Sequence, residues 1–123
     1  MTRPVNLDLI AFRLPIAAIT SILHRISGVV LVFGVGYFSF LLNLTLESPE
    51  SFNWVFDAVG STYHGFLVWV VLTAVSFHFF AGIRHLLMDF HLGISLRVSR
   101  VSAWSVLALT SVASIGLGWW IAT

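Results

Sequence analysis

The sequence predicts an all-α protein: a transmembrane three-helix anchor. Three observations predict it. Apolar residues make up 59% of the 123 and charged residues only 9%, where a soluble domain carries about a quarter charged. Three stretches hold no Asp, Glu, Lys or Arg: Ile26–Leu46, Ala58–Ile83 and Val101–Thr123, of 21, 26 and 23 residues. At ~1.5 Å of rise per residue, each crosses a hydrocarbon layer ~30 Å thick. Third, the charges are sided. Arg3, Arg13 and Arg25 precede the first stretch and Arg84, Arg97 and Arg100 separate the second from the third, whereas Glu47, Glu50 and Asp57 lie between the first two. Cations collect on the cytoplasmic side, which predicts a cytoplasmic N-terminus, a cytoplasmic second loop and a C-terminus on the outer side.

The chain reads as a single transmembrane domain, residues 1–123, with spans about 20–46, 61–88 and 101–123. Pro15 suits the first turn of a helix, where its missing N–H costs nothing. That helix, from about Pro15 to Leu46, begins in the interface and then crosses, and Ser48–Pro49 breaks it. Glu47 to Asp57 reads as a short outer loop with an interfacial turn around Phe52, Trp54 and Phe56. The second helix runs from about Ser61 to Met88, Asp89 to Arg100 forms the inner loop, and the third helix starts near Val101. Trp104 and Trp119–Trp120 mark its two ends as aromatic belts do. Ser111, Ser114 and Gly118 share a face that lets helices approach closely, and packing is their expected use.

There is no cysteine, which excludes disulfides, thiolate metal sites, Cys-ligated iron–sulfur clusters and c-type haem attachment on this chain. Arg13 and Arg25 bracket too short an apolar stretch for a cleaved signal, and Met1–Asp8 is poor in the Arg and Ser of a mitochondrial presequence. A bacterial inner (cytoplasmic) membrane, with the lipid bilayer as solvent, is the expected location. Nucleic acid is not among the expected partners.

Ionisable residues inside a membrane span are rare and usually functional. His78 is one. Ala74, His78, Gly82 and His85 follow at steps of four, four and three, so they share a helix face. A haem-ligating imidazole needs clearance for the macrocycle, which Ala74, Ala81 and Gly82 supply. His85 lies seven positions on, ~10 Å along the helix, about the reach from iron to a propionate, with Arg84 beside it. Spacing alone fits two readings equally: His78 as haem ligand, or His78 in an interhelical hydrogen bond with small residues that permit packing.

A second constellation opens the first span: Ser21, His24, Arg25 and Gly28. Arginine at the end of a span can simply snorkel to the interface. A hydroxyl, a cation and an imidazole converging there also suit a quinone carbonyl, whose need for donors rises as negative charge develops on oxygen. They suit anionic propionates equally. His64, beside Tyr63 at the outer end of the second helix, reads as interfacial, and His91 as solvent-exposed. Asp89 caps the helix or pairs with an arginine, and Phe77, Phe79 and Phe80 read as core or lipid-facing. If His78 is one axial ligand, His64 is ~21 Å away on the same helix and too far for the same iron. His24 and His85 are expected too near the inner boundary, so the second ligand should come from another chain.

Three segments, Arg3–Leu9 (RPVNLDL), Ser21–Gly28 (SILHRISG) and His78–Asp89 (HFFAGIRHLLMD), resemble the cytochrome b subunits of succinate dehydrogenase, the larger membrane anchors of respiratory complex II. The resemblance covers essentially the whole chain. It implies that His78 is an axial ligand of haem b, paired with a histidine from a smaller membrane anchor subunit. It implies that Ser21 and Arg25 line the ubiquinone site and that His24, Arg25 and His85 contact haem propionates. An iron–sulfur subunit and a flavoprotein subunit are implied on the arginine-bearing side, the flavoprotein carrying out succinate oxidation. This chain has neither a flavin-binding glycine fingerprint nor cluster cysteines, so it carries no succinate chemistry. Three alternatives stay open: a fumarate-reductase-type anchor, a pure anchor with no bound cofactor, and a small histidine-based transporter or proton-conducting module using His78 and Arg84 as a relay. The absence of midplane carboxylates speaks against the last.

Overall fold

A computed structural model describes residues 14–123; Arg3, Arg13 and the Arg3–Leu9 segment lie outside the described residues. Four helices follow one another: α1 (Ile16–Glu47), α2 (Pro49–Val59), α3 (Thr62–Asp89) and α4 (Leu96–Ala122). Three of them, α1, α3 and α4, are long and apolar enough to cross a membrane, as the charge-free stretches predict.

The segment expected to be an outer loop is instead the helix α2. Ser48–Pro49 does end α1, yet the same dipeptide starts the next helix. The Ser48 side chain accepts from the Ser51 amide while Ser51 bonds back to the Ser48 amide, and Pro49 occupies the first turn. Reciprocal capping of this kind satisfies two of the four amides a helix start leaves unpaired. The Ser51 hydroxyl also reaches the Leu44 carbonyl at 2.6 Å, tying α2 to the end of α1. Val55 is buried, while Phe52, Trp54 and Phe56 point outward.

The third span also begins earlier than the expected Val101. α4 starts at Leu96, capped by Ser95, whose side chain accepts from the Val98 amide. Helix and hydrocarbon do not coincide here, because Arg97 and Arg100 fit a helical turn that lies outside the apolar layer. Before it, His91 and Gly93 take left-handed φ values of 61° and 73° and reverse the chain within a few residues. Gly93 adopts that conformation at no steric cost.

α3 is central, packing against both α1 and α4. Phe77 and Ala81 of α3 meet Val106 of α4, flanked by Phe80 and Leu107, and Ala81 and Ala103 are fully buried. Farther along the same seam the Trp69 indole donates to the Ser114 carbonyl at 2.9 Å, and the Thr73 and Ser114 hydroxyls pair at 3.0 Å. A Cβ on Gly118 would sit 3.2 Å from the Trp69 nitrogen. Ser114 and Gly118 therefore act in packing as expected, but Ser111 faces outward and returns its hydroxyl to Leu107. On the other side of α3, a Cβ on Gly34 would lie 2.6 Å from Val71, so α1 and α3 touch there backbone against side chain. Large apolar side chains such as Phe33, Leu46 and Ile115 are about three-quarters exposed, the inverse of a soluble core and the distribution a lipid solvent allows. Trp104, Trp119 and Trp120 are exposed as well.

Candidate functional site

The two constellations predicted from sequence meet across the α1–α3 seam. The rings of His24 on α1 and His78 on α3 stack, with centroids 4.1 Å apart and planes 20° apart. His85 lies one further step along, its ring tilted 41° and 5.0 Å from His24. The expectation that His24 lies nearer the inner boundary than His78 is therefore corrected: the two rings share one level, because the helices cross closely at Gly28 and Gly82. A Cβ on Gly28 would come 3.3 Å from the His78 ring, and one on Gly82 would come 3.6 Å from His24 Nε2. Both glycines make room for a histidine ring on the opposite helix. Face-stacked imidazoles do not present nitrogens to opposite sides of one iron, so His24 is unsuited to be a trans partner of His78.

The hydrogen bonds fix the chemistry of the His78 ring. The Ser27 hydroxyl donates to the His24 carbonyl at 2.7 Å. His78 Nδ1 faces the Ser27 oxygen at 3.0 Å and the His24 carbonyl at 3.2 Å. A carbonyl only accepts, so Nδ1 carries a proton in this arrangement, and it is Nε2 whose lone pair the neutral ring would present. His24 Nε2 is buried and has no hydrogen-bond partner. Buried polar atoms are nearly always satisfied, and this nitrogen is an exception on the same face as His78. These features fit a haem: an oriented imidazole whose Nε2 makes no hydrogen bond, and an unspent imidazole nitrogen next to it.

Ser21 is half-buried and Arg25 exposed on α1, one turn from His24. No hydrogen bond joins either to His24, His78 or His85. Arg84 departs from its expected role beside His85. It is buried and turned to α4, donating through Nε to Ser102 at 3.0 Å and through Nη2 to the Ser99 hydroxyl at 3.0 Å and carbonyl at 3.3 Å. That removes it from the histidine face and breaks the His78–Arg84 relay considered for a transporter.

At the other end of α3, His64 is more than interfacial: the Tyr37 hydroxyl and His64 Nδ1 lie 2.8 Å apart, linking α1 to α3. His91 is exposed, as expected. Phe77 is core and Phe79 outward-facing. Sequence reasoning overlooked Ser27. Its signal was available, three residues after His24 and on the face toward α3, but a helical serine usually bonds its own backbone and rarely stands out.

A family model described as the succinate dehydrogenase/fumarate reductase transmembrane subunit matches residues 1–117. Among characterised relatives, the succinate dehydrogenase cytochrome b556 subunit of Coxiella burnetii is 42% identical over 122 residues, covering 97% of this chain and 96% of that protein. The subunit of the same name from Paracoccus denitrificans is 33% identical over 114 residues, 92% of this chain and 87% of that protein. That of Rickettsia felis is 30% identical over 108 residues, 85% and 81%. With three apolar helices, a histidine-lined seam and similarity running nearly end to end, this chain belongs to the succinate dehydrogenase/fumarate reductase transmembrane subunit family.

Proposed function

We propose that this chain is the membrane-anchor cytochrome b subunit of a succinate:ubiquinone oxidoreductase, a component of an enzyme complex with no succinate-oxidising chemistry of its own. His78 would hold the iron of haem b through Nε2, and a histidine of the smaller anchor subunit would supply the other ligand to the iron. When bound, the haem supplies a one-electron store near the quinone. His24 and His85, with Arg25 at the same end, would meet the propionates. Ser21 and Arg25 donate to a ubiquinone carbonyl as charge develops on its oxygen. The iron–sulfur and flavoprotein subunits dock on the arginine-bearing side, cytoplasmic in a bacterial inner membrane.

One observation carries this reading: His78 Nδ1 is committed to the Ser27 oxygen and the His24 carbonyl, which leaves Nε2 as a metal-binding nitrogen. A bridge through Nδ1 alone leaves the same nitrogen bare, so a bound haem is what separates the two readings. The test is the optical redox spectrum of the purified complex. A b-type absorption is expected in the parent protein and is lost or altered in His78→Leu. An unchanged spectrum in that variant removes the ligand assignment.

A further inference from the structure

We propose that Ser27 is a positioning residue for the metal-binding histidine, setting its tautomer, its rotation and the electron density at Nε2. This inference rests on the assignment of His78 as ligand. Three contacts carry it. The Ser27 hydroxyl proton is spent on the His24 carbonyl at 2.7 Å. Its oxygen is thereby turned into an acceptor, 3.0 Å from His78 Nδ1. The His24 carbonyl stands 3.2 Å from the same nitrogen, so Nδ1–H is shared between two acceptors on α1. Ser27 is itself only 6% exposed, which shields these bonds from water and raises their electrostatic weight.

Two acceptors on one N–H withdraw its proton toward α1 and leave the opposite nitrogen a stronger donor, the way outer partners raise the basicity of metal-bound imidazoles. A stronger donor favours ferric over ferrous iron. Ser27 thus holds the haem potential down. The geometry also explains why a serine stands at this point of the seam. A residue without a hydroxyl leaves Nδ1 a single acceptor, the His24 carbonyl.

The experiment is a redox titration of the haem in the whole purified complex, with Ser27→Ala, the near-isosteric pair Ser27→Thr and Ser27→Val, and His78→Leu alongside. Ser27→Ala is expected to retain haem and shift the ferric–ferrous equilibrium about threefold toward ferrous, about 28 mV upward at ~59 mV per decade for one electron. Ser27→Thr restores the parent value. An unchanged or lowered potential in Ser27→Ala overturns the proposal, as does a rise in Ser27→Ala that Ser27→Thr does not reverse. If Ser27→Ala lacks haem, the isosteres decide: haem retained with Thr and missing with Val supports the proposal, and identical behaviour of the two overturns it. A parent-like spectrum in His78→Leu overturns the ligand assignment itself, which keeps the two failures apart.

Discussion

Two arginines, Arg25 and Arg84, stand at the same end of the α1–α3 seam and differ in what their donors are doing. The Arg84 guanidinium is buried and engaged by Ser99 and Ser102; Arg25 is exposed and open to a ligand or to a neighbouring subunit. Sequence adjacency makes Arg84 look like a companion of His85, but at ~100° per residue adjacent side chains diverge around a helix. His78 and His85, seven apart, do share a face. The intramembrane histidine was thus readable from the rarity of such residues in apolar stretches, whereas the Ser27 contact depends on how two helices cross and no local pattern encodes it. Because Arg25 is the uncommitted one of these two arginines, Arg25→Leu is expected to lower ubiquinone reduction on the order of 10²-fold, the usual cost of losing one donor to a developing oxyanion. Succinate oxidation with a soluble dye acceptor should stay at the parent rate. Arg25→Lys should recover part of the loss, since an ammonium is a point charge without the planar fork. Equal loss of quinone-linked and dye-linked activity in Arg25→Leu rules against a role at the quinone.

At the scale of elements, hydropathy located the three long helices but misjudged what joins them. Charge-free stretches report where lipid is, and helices extend past it: α4 begins with Arg97 and Arg100 in its opening turns. The signals for α2 were present as Ser48, Pro49 and Ser51, a cap, a first-turn proline and a capping partner. The same residues also end α1, and that stop masks the start that follows it. How α1 and α3 pack was less legible still, since any glycine in a membrane helix is a candidate contact. The structure singles out Gly34, whose added Cβ would lie 2.6 Å from a Val71 methyl. Val71 is β-branched and stiff at χ1, so it cannot swing aside. Overpacking at such a point costs about 1–3 kcal/mol, more than the ~1 kcal/mol that alanine gains over glycine in helix propensity. Gly34→Ala should therefore lower the temperature at which the purified complex dissociates, and adding Val71→Ala should return it toward the parent. A Gly34→Ala complex as heat-stable as the parent contradicts the close approach.

The whole molecule is a charge-sided object. α2, carrying Glu50 and Asp57, joins α1 to α3 at one end. His24, Arg25, Arg84 and His85 gather at the other, next to the turn leading into Arg97 and Arg100. A membrane potential of 100 mV is worth about 2.3 kcal/mol per elementary charge moved across it. Among the described residues, Arg25, Arg84, Arg97 and Arg100 all lie toward that end, so the proposed orientation, with that end cytoplasmic, is the one the potential favours. In the orientation proposed above, the candidate site would face the cytoplasm, where water-soluble subunits could deliver electrons without crossing lipid. The absence of cysteine makes this directly measurable. Asn53 on α2 and Leu92 in the α3–α4 turn are both exposed, and each can be changed singly to cysteine. In intact bacterial cells a membrane-impermeant maleimide should label Asn53→Cys, while Leu92→Cys should react only after the membrane is permeabilised. The reverse pattern would invert the molecule, place the histidine cluster on the outer face, and detach the site from any cytoplasmic electron donor.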